Sequence, residues 1–247
     1  MNNKVFAGSL KAKNMTTSTI SMCIYGDIVA VGQDREKAED RTPADMKEFL
    51  NYAGGRDLDL YINSIGGDVF AGIAIYNMLK AYTGKIRVYV EGIAGSIASV
   101  IAMAGDEIYI PKNSSFMIHR AWCACVGNVD AMEKAIEYLK RLDGTLADIY
   151  MTKTIDVIDR GTIIDMMKNE TWLNGEEAAK IFKVIPTEEQ QIYAMIGDIG
   201  RFKNIPTSII TMNAQNKESE KKKHLKELEK EILSLDLLFM IKEETND

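Results

Sequence analysis

Histidine is scarce in this chain, which has only two in 247 residues. His224 lies in a strongly charged C-terminal stretch, and His119 lies in the part with globular composition. A site that pairs a serine with an imidazole in that part must therefore use His119. Ser96 precedes it by 23 residues.

Cysteine is also rare, with three residues, Cys23, Cys123 and Cys125. An odd number, two of them separated by a single residue, does not predict a disulfide framework. The Cys123–Cys125 pair has no second cysteine pair and no additional histidine nearby, so the sequence does not predict a zinc site. We expect no metal and no other cofactor, and small packing residues or free thiols at these positions.

Long apolar runs are missing as well. The N-terminus lacks the apolar stretch of a signal peptide, and the longest candidate span, 93–105, is too short to cross a bilayer. The net charge of −6 comes without a basic stripe, which argues against nucleic-acid binding. These absences predict a soluble, cytoplasmic protein with neither a membrane nor a nucleic-acid partner.

Short apolar segments alternate with segments of helical periodicity through the first two thirds of the chain. The predicted strands are 21–31 (with its turn), 58–62, 86–90, 107–110 and 116–119. The predicted helices begin at Thr42-Pro43 or cover 69–81, 97–104, 129–152, a stretch from 163 and 176–182. This alternation predicts an α/β fold with parallel strands joined by right-handed crossovers.

Three regions follow from composition: a flexible arm over 1–20, a globular domain over 21–190 and a charged, mainly helical extension over 191–247. Sixteen of the last 32 residues are charged. The apolar positions in this tail recur at steps of three and four, at Leu225, Leu228, Ile232, Leu235 and Phe239. Barely two heptads do not define a coiled coil, so a frayed charged helix and a partner-binding helix both stay open.

Ser96 follows a predicted buried strand and Gly92-Ile93-Ala94-Gly95, and it precedes an apolar helix. Such a turn exposes a serine hydroxyl, and the first N–H groups of the next helix can stabilise an oxyanion. Small residues are also common at ordinary tight turns. Ser99 is a competing candidate, but one turn into the helix we expect its hydroxyl to face neighbouring packing.

His119 ends an apolar strand, where a hydrogen-bonded structural histidine is the ordinary interpretation. As a general base it needs the Ser96 hydroxyl on one ring nitrogen and a carboxylate on the other. Four acids after the long helix are candidates for that carboxylate: Asp156, Asp159, Asp165 and Glu170.

Three segments, taken in order, resemble the ClpP family of serine peptidases. The family pattern I-N-S-P-G-G, then G-x-A-x-S, then M-I-H is matched here by 62–67, 92–96 and 117–119. The resemblance covers about residues 22–190 and implies a ClpP/crotonase-like fold of stacked αβ units with a projecting handle helix. A different interpretation, an acyl-CoA enzyme of the crotonase fold, does not need this serine–histidine pair.

The resemblance also implies roles for individual residues. Ser96 resembles the nucleophile and His119 the general base, while Gly67 and Ile97 resemble the oxyanion-hole N–H donors. Glu170 occupies the position of the family's catalytic Asp, and its side chain is one methylene longer. Asp165 is the alternative third member.

Other departures point to one branch of the family. Ile65 replaces the usual proline, Arg120-Ala121-Trp122 replaces the residues after the usual histidine, and Thr171-Trp172 follows the acid. These variants resemble the ClpP-related head maturation (prohead) proteases of phages and prophages. That resemblance implies a homo-oligomeric ring, packed partly through helix 129–152, that cleaves capsid or scaffolding protein in the host cytoplasm or assembling prohead. The alternatives are a housekeeping-type ClpP peptidase and an inactive ring-forming assembly protein.

Overall fold

The computed structural model describes residues 18–30, 32, 39–190, 199–207, 209–211, 214 and 225. The chain forms two compact units, Met1–Ile205 and Pro206–Asp247. In the second unit the carbonyl of Pro206 accepts from the N–H groups of Ile209 and Ile210. The apolar series predicted for the tail lies outside the described residues, except for Leu225.

The first unit is a mixed α/β fold built on a seven-stranded sheet. Its strands are β1 (Thr19–Tyr25), β2 (Asp57–Ser64), β3 (Ile86–Gly95), β4 (Glu107–Pro111), β5 (Ser115–Ile118), β6 (Thr171–Leu173) and β7 (Ile185–Thr187). The order β1-β2-β3-β4-β7 is parallel throughout, as the alternating pattern predicts. β5 pairs in parallel with the second half of β3, and β6 adds to β5 in the antiparallel direction.

In the described part of the first unit, six α-helices accompany the strands: α1 (Pro43–Ala53), α2 (Val69–Lys80), α3 (Ile97–Ala102), α4 (Val129–Met151), α5 (Arg160–Lys168) and α6 (Gly175–Ala178). Thr42 caps α1, as its position before Pro43 predicts. The Thr42 hydroxyl accepts from the N–H of Asp45, whose carboxylate accepts from the N–H of Thr42. This reciprocal capping satisfies two N–H groups that the helix cannot satisfy itself.

The core lies where these helices cover the sheet. Leu58, Leu60 and Ile62 of β2 are fully buried, and α3 is buried along its whole length. Helix α4 is different at its two ends: Leu146 and Tyr150 are buried, whereas the N-terminal half leaves several apolar side chains exposed. Helix α4 is the handle helix of the predicted fold, and its N-terminal half is the part whose apolar side chains stay exposed. No described helix is long and apolar enough to cross a membrane.

Several predicted boundaries are wrong. The apolar pattern ends β3 at 90, but the strand continues to Gly95, because Ile93, Ala94 and Gly95 find partners in β5. Helix α2 ends at Lys80, one residue before the predicted end at 81. After the helix, the backbone of Gly84 lies close to that of Arg56, since a Cβ on Gly84 would lie 2.3 Å from the carbonyl oxygen of Arg56.

The stretch just before the predicted helix 176–182 contains β6 and Asn174, the N-cap of α6. The Asn174 side chain accepts from the N–H of Glu177. Helix α6 ends at Ala178, so the predicted helix 176–182 is shorter than expected. The strand β7 has no counterpart in the sequence pattern because three residues are too few to show a period.

Candidate active site

Ser96 lies between the end of β3 and the start of α3. Its backbone has φ 55° and ψ −130°, a conformation that residues other than glycine rarely adopt. The N–H of Ser96 donates to Met117 O at 3.0 Å, which ties this turn to β5. A serine on such a constrained turn presents its hydroxyl outward, and Ser96 is half-buried.

His119 follows directly after β5. Because β3 and β5 are parallel neighbours with Gly95 opposite Met117, Ser96 and His119 leave the sheet at the same edge. The Nε2 atom of His119 lies 2.6 Å from Oγ of Ser96. The structure therefore brings together the predicted serine and the predicted histidine at hydrogen-bonding distance.

Ser99, the competing serine, is fully buried. Its hydroxyl lies 2.6 Å from Ser96 O, 2.9 Å from Met117 O and 2.7 Å from the Tyr150 hydroxyl. The expectation that it faces packing is therefore correct. The Ser99 hydroxyl thus hydrogen-bonds to the backbone of the turn that carries Ser96.

Gly66 and Gly67 form the turn beside Ser96. Both have positive φ, 102° and 148°. A Cβ on Gly66 would lie 2.7 Å from Cβ of Ser96, so only glycine lets this backbone approach the serine. Ile28 bonds to Gly66 O and to the N–H of Asp68, and this parallel bridge turns the N–H of Gly67 away from Ile28.

Ile97 is the first residue of α3, where an N–H has no partner within the helix. Among the residues that the structure describes, neither the Gly67 N–H nor the Ile97 N–H donates a hydrogen bond to a protein acceptor. Both residues line the same cleft as Ser96. Backbone N–H donors near a serine hydroxyl can stabilise a negatively charged carbonyl oxygen.

Glu170 reaches the same edge from the other side. β6 runs antiparallel to β5 with Ile118 opposite Thr171, so the next positions outward are His119 and Glu170. Glu170 has φ 50°. Its Oε1 accepts from the N–H groups of Lys203 at 2.7 Å and Asn204 at 2.8 Å, and lies 3.4 Å from Trp172 Nε1. Those three groups are its hydrogen-bond partners in the described part of the chain.

The other predicted acids lie elsewhere. Asp165 is exposed on α5, and its carboxylate bonds to no described residue. Asp159 caps α5 through the N–H of Thr162, and Asp156 pairs with Lys183 at 3.3 Å. Of the four candidates, Glu170 alone occupies the strand position next to His119.

Asp143 of α4 is a residue that the sequence patterns did not single out. Its Oδ1 accepts from the N–H of Ala121 at 3.0 Å, and Arg120 lies 3.5 Å away. Burial raises the pKa of this carboxyl, while the Ala121 N–H and the Arg120 charge act in the opposite direction. Asp143 thus holds the segment after His119 against the handle helix. The sequence signal that could have identified Asp143 is its position as an acid between Leu142 and Leu146, two apolar residues of the predicted helix.

A cleft of about 680 Å³ opens at this site. Ser96, His119 and Gly67 line it, and so do residues from the handle and from beyond the predicted domain. Its lining includes the apolar or aromatic residues Phe70, Tyr138, Leu142 and Phe202, the thiol of Cys123, and the acidic residues Asp27, Asp40 and Asp68. The volume and the mixed lining suit a peptide segment. Phe202 lies in a stretch without any periodic pattern, so the sequence offered no signal for it.

Metal ligands do not cluster in this region. Within the described ranges, no group of three or more His, Cys, Asp or Glu side chains is arranged to hold an ion.

Comparisons with known proteins all point to one family. A family model described as Clp protease matches residues 14–185. An ATP-dependent Clp protease proteolytic subunit of Deinococcus radiodurans is 34% identical over 128 residues, 51% of this chain and 61% of that protein. Proteins of the same name are 31% identical in Ligilactobacillus salivarius, over 47% of this chain and 69% of that protein, and 28% in Dehalococcoides mccartyi, over 51% and 62%. The chain thus spans less than two thirds of the Deinococcus relative, yet the family model covers well over half of this chain. This chain belongs to the Clp protease family.

Proposed function

We propose that the protein is a self-compartmentalising, ClpP-like serine endopeptidase. The observation that carries this proposal is the 2.6 Å separation of His119 Nε2 and Ser96 Oγ. The backbone N–H groups of Gly67 and Ile97 beside that pair add the stabilisation that acyl transfer requires.

The proposed reaction is a two-step acyl transfer. His119 takes the proton of the Ser96 hydroxyl as Oγ attacks a peptide carbonyl, and the N–H groups of Gly67 and Ile97 donate to the resulting oxyanion. His119 then gives the proton to the leaving amine as the C–N bond breaks. Water repeats the sequence on the acyl-enzyme and restores Ser96. The chain's own groups supply every proton transfer, and no cofactor enters.

Glu170 is the proposed third member, with Asp165 as the alternative. The strand register beside His119 favours Glu170, and its carboxylate lends negative charge to the side of the site where the imidazolium forms. Its direct hydrogen bonds go to Lys203 and Asn204. We therefore propose an electrostatic and structural contribution for this acid.

The proposed substrate is the capsid protein or scaffolding protein of a phage head, cleaved in the host cytoplasm or in the assembling prohead. Support comes from Ile65, from Arg120-Ala121-Trp122 and from Glu170-Thr171-Trp172, which depart from the housekeeping pattern. The names of the relatives favour the second candidate, a peptidase that acts with an ATP-dependent partner.

A ring of identical chains is the proposed assembly. The handle helix exposes Val129 at 69%, Met132 at 49% and Ile136 at 51%. Apolar side chains spaced along one helix at this exposure suit contact with a second copy. A ring would restrict cleavage to chains that enter it or assemble with it.

A fluorophosphonate probe tests the chemistry, since it reacts with activated serines. We expect rapid labelling of the wild type and of the controls Ser115→Ala and His224→Ala. Ser96→Ala and His119→Ala should lose labelling by about 10⁴-fold. Labelling that persists in Ser96→Ala would refute the assignment of the nucleophile.

Co-expression tests the substrate. Cleavage of a phage capsid precursor or scaffolding protein at discrete sites by the wild type, absent with Ser96→Ala, would support the head-maturation role. Degradation of unfolded protein that depends on an added Clp ATPase and ATP, with the precursor left intact, would instead establish the housekeeping candidate.

A further inference from the structure

Residues 199–204, here called the C-terminal strap, lie across the catalytic edge of the first unit. The strap begins with a 3₁₀ turn at Ile199–Arg201, and the N–H of Phe202 donates to Ile199 O at 3.1 Å. It comes after β7 and after the last segment that the family motifs cover. Its contacts nevertheless go to the residues around His119.

Glu170 and Asn169 hold the strap. Oε1 of Glu170 accepts from two successive strap N–H groups, those of Lys203 and Asn204, at 2.7 and 2.8 Å. The Asn204 side chain donates to Asn169 O at 2.8 Å. Three hydrogen bonds over two neighbouring residues, two of them to a carboxylate, fix the strap at this point.

Phe202 connects the strap to the imidazole. Its side chain is buried, and its ring meets His119 edge-on with centroids 5.6 Å apart. The same ring meets Trp172 edge-on at 5.7 Å. Phe202 also lines the cleft beside Ser96. Edge-to-face contacts at these distances stabilise one ring orientation over others.

We propose that the C-terminal strap positions His119, with Phe202 as the positioning residue and Glu170 as its anchor. The inference rests on the proposed function, because it assigns Phe202 a role for the same serine–histidine pair. A glutamate at position 170 has the reach to accept from two strap N–H groups. Phe202 then walls one side of the imidazole and keeps water from the Ser96–His119 hydrogen bond.

Nuclear magnetic resonance of the histidine tests the contact without requiring catalysis. In a His224→Gln background, ¹³C-labelled histidine gives one imidazole signal, that of His119. We expect Phe202→Ala and Phe202→Leu to shift this signal, because both remove the aromatic ring current. Tyr109→Ala is the control, since Tyr109 stacks on Tyr89 and does not line the cleft, and we expect it to leave the His119 signal unchanged. An imidazole signal in Phe202→Ala that matches the wild type from pH 5 to 9 would overturn the proposal.

The rate of fluorophosphonate labelling tests the consequence. Phe202→Ala should slow labelling by about 10-fold to 100-fold, and Phe202→Leu, which keeps an apolar wall, should restore most of the rate. Lys203→Pro removes an N–H that Glu170 accepts, whereas Lys203→Ala keeps it; we expect only the proline variant to be slow.

The outcomes separate the two proposals. If the wild type does not label, but the Phe202 variants still shift the His119 signal, the proposed peptidase function is refuted. The proposed contact between Phe202 and His119 is then retained. Equal labelling rates for all Phe202 and Lys203 variants, with a labelled wild type, refute the strap alone. Thermal unfolding of each variant shows that a slow rate comes from a folded protein.

Discussion

The hydroxyl groups of Ser99 and Tyr150 lie 2.7 Å apart in the core, one helical turn beyond Ser96. Ser99 has one proton, which it donates to Ser96 O or to Met117 O. Tyr150 therefore donates its own proton to Ser99. Burial raises the pKa of Tyr150, which keeps the phenol protonated as a donor. This pair joins α4 to the turn that carries the proposed nucleophile.

Removing the Ser99 hydroxyl should lower the free energy of unfolding more than removing the Tyr150 hydroxyl. Ser99→Ala leaves the buried Tyr150 hydroxyl without its acceptor, at a cost of about 1–3 kcal/mol in the free energy of unfolding. Tyr150→Phe leaves Ser99 with two carbonyl acceptors and should cost about 1 kcal/mol. Urea unfolding measures both. The double variant should cost less than the sum, and strict additivity would contradict the proposed donor direction.

Gly67→Ala should disrupt the turn that supplies one of the proposed oxyanion donors. A Cβ there would lie 2.1 Å from Ile28 O, and the backbone φ of 148° is unfavourable for alanine. We expect a loss of about 2–4 kcal/mol in unfolding free energy and no fluorophosphonate labelling. Gly32→Ala is the control, because its φ is also positive, at 90°, with no atom within 4 Å of the added Cβ. Equal losses for the two variants would show that the contact with Ile28 is unimportant.

Alkylation of Cys123 should block the cleft. This thiol is exposed and lines the same cavity as Ser96 and His119. A maleimide adduct takes up space in the cleft beside Ser96, so treated wild type and treated Cys125→Ser should both lose fluorophosphonate labelling of Ser96. Treated Cys123→Ser, which keeps the other two thiols, should label normally. If it loses labelling too, another thiol is responsible.

Two aspartates should show opposite pH effects on stability. Burial raises the pKa of Asp143 in the folded state above its unfolded value near 3.9. The folded protein then holds this proton more tightly, so the contribution of Asp143 to stability falls as pH rises from about 4 through the raised pKa. Asp143→Asn should therefore gain stability relative to the wild type over that rise.

Asp159 provides the comparison of opposite sign. Hydrogen bonds from Thr162 lower the pKa of its carboxyl, so its contribution is present above about pH 4 and is lost as pH falls through the lowered pKa. Asp159→Asn should lose stability relative to the wild type as pH rises. Unfolding curves at several pH values between 3 and 7 check both signs. Parallel trends in the two variants would contradict the assigned causes.

Charged substitutions on the handle should dissociate the proposed ring. Met132→Glu and Ile136→Glu place carboxylates on the exposed apolar side of α4, where burial in a subunit contact would be costly. We expect smaller assemblies by light scattering, with the monomer still folded. Lys134→Glu, on an exposed polar position of the same helix, should leave the assembly intact. An unchanged mass for Met132→Glu and Ile136→Glu would exclude this surface.

Sequence patterns predict a structural feature correctly where that feature depends only on residues within one helix, strand or turn. Thr42-Pro43 predicts the start of α1, and the periodicity of 129–152 predicts α4 to within one residue of Val129–Met151. The scarcity of histidine singles out His119 as the imidazole of the globular part. The glycines at 66 and 67 belong to the family segment 62–67, and both adopt the positive φ angles that favour glycine.

Sequence patterns do not predict which distant segments of the chain pair with each other. The continuation of β3 to Gly95 depends on β5, and the three-residue strand β6 depends on the edge that β5 offers. The hydrogen bond between Asp143 and Ala121, the burial of Ser99 against Tyr150 and the placement of Phe202 on His119 are also contacts between elements. None of them leaves a period or a capping signature in the chain.

The sequence alone determined the alternation of strands and helices, the two consecutive glycines at 66 and 67 and the choice of His119 as the sole imidazole of the globular part. These features depend on local backbone preferences and on residue counts, which are properties of the chain itself. Only the tertiary structure brought Ser96 Oγ to within 2.6 Å of His119 Nε2 and turned the Glu170 carboxylate toward Lys203 and Asn204. Those distances depend on how strands separated by many residues align at one edge of the sheet, and that alignment is set by the packing of the whole core.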